Sequence, residues 1–260
     1  MSDANVNESA GGVAPVRAEP HYLRRAIIIW IVLSVIGIVA VIVTSPFVLP
    51  AAASEFAATD NITMEMLTIL SVPVAFFVFI FLIYSLITFK INGQTTEDAP
   101  FLKPRPGLQI GWLGITGALC LFLLIWGMFG FYQYSVASSP EELVVKVTGQ
   151  QWLWTFDFPQ YGVSGQAQTL ELPVNRPVEF DVTSLDVLHG FDIQALGVRV
   201  DANPGEMTTT PLVTPSQIGT YSVRCVELCG LYHSYMWSSV QVVSVSAFNS
   251  WIVSQGGNPT

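Results

Sequence analysis

Residues 221–236 read YSVRCVELCGLYHSYM, and within them Cys225, Cys229, His233 and Met236 stand at spacings of four, four and three. One short segment therefore offers two thiols, an imidazole and a thioether. Thiolate and thioether together favour copper, imidazole suits copper and zinc alike, and a hard cation would ask for oxygens. Structural zinc is ordinarily closed by cysteine and histidine alone, so Met236 moves the reading from zinc toward copper. Taken singly, the same residues have plainer readings: a disulfide between the cysteines in an oxidising compartment, Met236 as core filler, His233 as a surface histidine.

The flanking sequence places this segment in a β domain. From residue 141 onward short β-branched or aromatic runs at 143–148, 151–158, 178–183, 198–202, 221–224 and 237–245 are separated by Pro, Gly and Asn signals. Such a series, with no helical period before Ser246, predicts a Greek-key sandwich or barrel whose end loops can hold a metal. A short helix or arm is expected over 247–254. Of the three histidines, His189 falls in SLDVLHGFDI, expected to be a loop of this same domain and hence a candidate further ligand.

The first half has another character. The chain has 260 residues, 51% hydrophobic and 11% charged, against about 25% charged in ordinary soluble domains, which calls for a membrane portion. Residues 26–50 form an apolar run behind Arg24 and Arg25, read as a transmembrane helix or an uncleaved signal segment. Residues 64–134 read as a transmembrane helical hairpin, with spans over 64–89 and 108–134, a kink at Pro73, and Cys120 as a small apolar residue within the second span. Lys90, Lys103 and Arg105 mark the connecting loop as cytoplasmic, which leaves everything beyond Tyr134 outside. Residues 1–25 are expected to be a disordered lead, and 135–260 the β domain. From residue 141 the chain has eleven acidic residues against Lys146, Arg176, Arg199 and Arg224, a net of −7. Such a body suits a basic partner and not nucleic acid.

His189 with Cys225, Glu227, Cys229, His233 and Met236, preceded by Gln151, Trp152, Leu153 and Trp154 and by a pair of membrane spans, resembles subunit II of the haem-copper oxidases in its cytochrome c oxidase form. The stretch LGVRVDANPGE at 196–206 matches as well. The resemblance implies an α+β membrane protein: a transmembrane helical hairpin, here with an extra N-terminal apolar segment, followed by a cupredoxin-like Greek-key β-sandwich or barrel. It implies a dinuclear copper centre, Cu(A), bridged by the sulfurs of Cys225 and Cys229, with His189 and His233 on one metal each, Met236 as a weak ligand and the Glu227 carbonyl as another. It also implies a magnesium ion on the Glu227 carboxylate at the boundary with the catalytic subunit, electron uptake from cytochrome c or a cytochrome c domain through an exposed Trp152, and Asp186 as an acid near the docking face.

The implied partners are the haem-bearing subunit I and a subunit III. The implied location is a bacterial-type plasma membrane, with the copper domain on the periplasmic side. Three positions depart from the family pattern: Gln109 stands where a glutamate is usual, Leu153 where an aromatic is common, and Gly190 where a serine follows the histidine. Two other functions fit parts of the pattern, a Cu(A)-bearing subunit of a nitric oxide reductase and a membrane-tethered copper-binding protein.

Overall fold

The structure, a computed structural model, describes residues 20–88, 105–135, 141–167 and 169–259. The expected disordered lead, apart from 20–25, lies outside the described residues, as do Lys90 and Lys103 of the expected cytoplasmic loop. The chain divides into two compact units, one of residues 1–44 and 66–96, the other of 45–65 and 97–260.

Among the described residues three helices are long and apolar enough to cross a membrane: α1 (Pro20–Val48), α2 (Glu55–Thr88) and α3 (Pro106–Ser135). Against the expected spans, α1 starts six residues before 26 and ends at 48, and α2 starts nine residues before 64 and ends at 88. The added turns of α2, EFAATDNIT, are polar or small apart from Phe56 and Ile62, and the Ser54 hydroxyl caps them by accepting from the Ala57 amide at 3.0 Å. In the first unit α1 meets α2 closely. The Trp30 indole donates to the Pro73 carbonyl at 2.7 Å, and a Cβ on Gly37 would fall 2.8 Å from Val72 and Phe76, so a small residue sets that approach.

The second unit holds the sandwich. Its strands are β1 (Leu143–Gln150), β2 (Leu153–Phe158), β3 (Val163–Ala167), β4 (Thr169–Pro173), β5 (Val178–Ser184), β6 (His189–Ile193), β7 (Val198–Ala202), β8 (Thr208–Thr209), β9 (Gly219–Cys225) and β10 (Trp237–Val243), followed by the helix α4 (Val245–Ser254). They form two five-stranded sheets, β3-β2-β1-β5-β8 and β4-β10-β9-β6-β7. Most neighbours are antiparallel, but β1 pairs with β5 and β4 with β10 in parallel, which gives the crossed, Greek-key-like character of a mixed sandwich. Strands β3, β4, β6 and β8 were not anticipated. The first two, VSGQA and TLELP, are short runs without the β-branched alternation that marks β1 and β5.

Alternation builds the core. Leu143, Val145 and Val147 from β1, Trp154, Phe156 and Phe158 from β2, and Val178, Phe180 and Val182 from β5 face Leu170, Leu172, Phe191, Ile193, Val223 and Val240 of the other sheet, all buried. Each such side chain contributes about 1.5–3 kcal/mol. Phe248 and Ile252 of α4 close one end beside Phe158, and the metal-ligand candidates close the other.

The segment between α1 and α2 is tied into this unit. The Ala53 amide donates to the Ala195 carbonyl and the Ser216 amide to the Ala53 carbonyl, both at 2.7 Å, and the Ser54 hydroxyl donates to the Leu196 carbonyl at 2.7 Å. Ala53 and Ser54 are buried, and Phe56 sits so close to Gly197 that a Cβ there would be 2.6 Å from its ring.

Candidate metal centre

Strand parity places the ligands. In β6 the inward row is His189, Phe191, Ile193, and in β9 the inward row passes Val223 to end at Cys225, so an imidazole and a thiol cap two adjacent core rows. His189 therefore opens a strand rather than lying in a loop, and it is 0% exposed. Its ring packs edge-on against Trp154 with centroids 5.9 Å apart. A Cβ on Gly149 would lie 3.0 Å from both rings, so the bare backbone at that point of β1 makes room for them.

The loop 225–236 brings the rest together. Its ends are closed by the Cys225 amide donating to the Met236 carbonyl at 3.0 Å, and the Val226 amide donates to the Gly190 carbonyl at 3.0 Å. Cys225 and Cys229 are free thiols with sulfurs 3.7 Å apart. A disulfide needs about 2.05 Å, so that plainer reading fails. Around the sulfurs, His189 Nδ1 lies 3.8 Å and the Glu227 carbonyl oxygen 3.3 Å from Cys225 Sγ. His233 Nδ1 lies 3.5 Å and Met236 Sδ 3.8 Å from Cys229 Sγ. Met236 is buried as part of the cluster and His233 half-buried. Among the described residues His189, Cys225 and Cys229 form a group able to hold a metal ion, their ligand atoms within 4.8 Å of one another. Burial, and after it the neighbouring Cys225, pushes the Cys229 thiol up to about 12, so a cation taking its sulfur as thiolate must displace a proton.

Asp186 is exposed and is also engaged with the site. Its Oδ1 accepts from His189 Nε2 at 2.9 Å and its Oδ2 from the Gln151 amide at 2.8 Å. Partial burial pushes this carboxyl up, but the hydrogen bonds from the Gln151 amide, His189 and the Val187 amide outweigh it and bring it down to about 2. The carboxylate thus fixes the imidazole with Nδ1 turned to the sulfurs. Trp152, expected to be exposed and in a strand, lies in the turn after β1 and is half-buried, its ring edge-on to Tyr232 at 4.8 Å. Gln151, which the sequence places in the QWLW stretch without a role of its own, donates from its side chain to the Cys229 carbonyl at 2.7 Å. Its only signal was its place just before Trp152.

Residues 163–243 match the family described as the periplasmic domain of cytochrome c oxidase subunit II, a stretch that contains His189, Cys225, Glu227, Cys229, His233 and Met236. Cytochrome c oxidase subunit 2 of Pneumocystis carinii is 30% identical over 166 residues, covering 54% of this chain and 68% of the relative. The chain belongs to the cytochrome c oxidase subunit II family. The subunit 2 of Myxine glutinosa is 22% identical over 204 residues, 70% of this chain and 87% of that one. Among solved structures, the periplasmic domain of subunit II of cytochrome oxidase from Bradyrhizobium japonicum is 29% identical, covering 46% of this chain and 96% of that one, with a TM-score of 0.42.

Membership in the cytochrome c oxidase subunit II family makes the chain a subunit of a haem-copper oxidase complex, with helices suited to membrane insertion and a periplasmic domain. The donor set fits the family's metal: two sulfurs, two imidazoles and a thioether are copper ligands by their softness, and the His/Cys/Cys group stands ready for one.

Proposed function

We propose that this chain is the electron-accepting subunit of a respiratory cytochrome c oxidase in a bacterial-type plasma membrane. It takes single electrons from cytochrome c, or a cytochrome c domain, beside Trp152, and delivers them to haem in the catalytic subunit I, where oxygen is reduced to water with proton translocation. A subunit III completes the expected partners. The observation that carries this reading is the pair of free, buried thiols 3.7 Å apart with an imidazole nitrogen on either side.

Cys225, Cys229, His189 and His233, with Met236 and the Glu227 carbonyl, would hold the dinuclear copper centre Cu(A). When bound, such a centre supplies one-electron storage shared between two metals with little change of geometry. The chain's own residues do the rest. The sandwich fixes His189 and Cys225 on adjacent strands, Asp186 holds the imidazole tautomer, and the cluster keeps Cys229 and Met236 from water. Trp152 lies against the Tyr232 ring within the ligand loop, a position suited to electron uptake. The Glu227 carboxylate is assigned to a magnesium ion at the subunit I boundary.

The helices α1, α2 and α3 are read as retained spans, α1 being supported by its seat on α2 through Trp30 and Gly37. Family membership favours the oxidase over a nitric oxide reductase subunit or a copper carrier.

Electron paramagnetic resonance with metal analysis on the purified complex tests the reading. Two coppers in this subunit with a seven-line hyperfine pattern are expected, and Cys225→Ser or Cys229→Ser should abolish both the pattern and cytochrome c oxidation. One copper with four lines, or a cysteine variant oxidising cytochrome c at the normal rate, would overturn it.

A further inference from the structure

All the side chains expected to bind copper are carried by the second sheet and its loop: His189 opens β6, Cys225 ends β9, and the loop 226–236 runs on into β10. The rim of the first sheet carries none of them, yet besides its ring contacts it sends two hydrogen bonds toward the site, both from one residue. The Gln151 backbone amide, just past β1, donates to Asp186 Oδ2 at 2.8 Å, and Asp186 Oδ1 takes up His189 Nε2 at 2.9 Å. The Gln151 side-chain amide donates to the Cys229 carbonyl at 2.7 Å, across a sequence separation of 78.

The loop is shaped to receive that amide. Gly230 follows Cys229 with φ 119, and a Cβ there would sit 2.9 Å from Gln151 Nε2. Only glycine adopts this conformation freely and leaves the space open. Next along the chain, Tyr232 rests on Trp152, the residue after Gln151, so the turn grips the loop on both sides of Gly230.

Resting on the copper reading above, we infer that Gln151 is a positioning residue. It clamps the cysteine loop to the strand end that bears His189 and sets the spacing between Cys229 and His189 independently of the metal. It touches no donor atom itself. It acts through the backbone of Cys229, and the side chain supplies a donor that no carboxylate or thioether can replace. Its loss should leave the Asp186–His189 contact in place, because that contact uses the Gln151 backbone, and should loosen only the Cys229 side.

The test uses Gln151→Glu and Gln151→Met in the full-length subunit within the purified oxidase complex. Both keep the length of the side chain and remove the donor, and the second does so without adding charge. The first readout is the rate at which reduced complex loses copper to bathocuproine disulfonate. The second is the hyperfine pattern of the oxidised complex. A faster release of about 10–100-fold in both variants, the range seen when groups behind metal ligands are removed, with an altered hyperfine splitting and an unchanged haem spectrum, supports the clamp. Release at the wild-type rate with an unchanged pattern in either variant overturns it while the copper reading stands. Wild-type complex without the two-copper signal overturns the copper reading itself, and the clamp with it.

Discussion

Asp186 and His189 are joined at 2.9 Å, Oδ1 to Nε2, which leaves Nδ1 as the imidazole nitrogen that faces the Cys225 sulfur. An anionic partner makes an imidazole a stronger donor to an oxidised metal. Asp186→Asn should therefore raise the reduction potential of the copper centre and weaken copper binding by about tenfold. Redox titration of the near-infrared absorption of the complex checks this, and an unchanged potential would show that the carboxylate only orients the ring.

Gly190 stands where the family pattern has serine, and the structure supplies the reason. A Cβ at this position would come within 2.7 Å of Val226 Cγ2 and 3.0 Å of the Glu227 amide nitrogen, the start of the ligand loop. Gly190→Ser should push that loop away and cost about 1–3 kcal/mol. Thermal unfolding of the metal-free chain should show the loss, with a parallel fall in copper occupancy.

Around the cluster the surface is apolar: Leu228 and Leu231 are 84% and 82% exposed, next to the ring pair of Trp152 and Tyr232. Exposed apolar residues in such a group mark contact surfaces. On the proposed reading, a donor docking beside Trp152 would meet this apolar patch as well as the acidic body around it. Leu231→Asp should raise the KM for cytochrome c about fivefold or more with kcat unchanged. Steady-state kinetics against donor concentration measures both, and a fall in kcat at constant KM would place Leu231 elsewhere in the cycle.

Glu171 lies on β4 opposite Gln241 of β10, and burial raises its carboxyl above the ordinary 4.5. A raised folded-state value means that the native state holds its proton more tightly than the unfolded chain does. The resulting stability is present below pH 4.5 and lost as pH rises through the folded value. Glu171→Gln should thus melt higher than the wild type at pH 7, and the gap should close below pH 4.5. Melting curves across that range decide it.

The gathering of Cys225, Cys229, His233 and Met236 was legible because soft donors are rare and their spacing is local. The spans were legible because about 20 apolar residues have few other uses. Strands such as β1 and β5 announced themselves by alternation, but alternation is the same in parallel and antiparallel pairs, so the partnership of β1 with β5 could not be read from either. His189 looked like a loop residue because the Asp186 turn precedes it, and only the pairing of Phe191 with Cys225 shows that its strand has already begun. The bonds from Gln151 to Cys229 and to Asp186 span 78 and 35 residues. They exist because two sheets meet at one end, a fact of tertiary structure with no local signature.

The seat of Ala53 and Ser54 on Ala195, Leu196 and Ser216 bears on biosynthesis. Ser54 leaves the ribosome 142 residues before its partner Leu196. Until residues 195–216 have been made, the stretch between α1 and α2 lacks these partners for its buried backbone groups. Contacts of such separation form late and slowly. This seat within the second unit therefore closes only after residue 216 has been made, and a chain truncated before Ser216 would lack the Ser216–Ala53 bond.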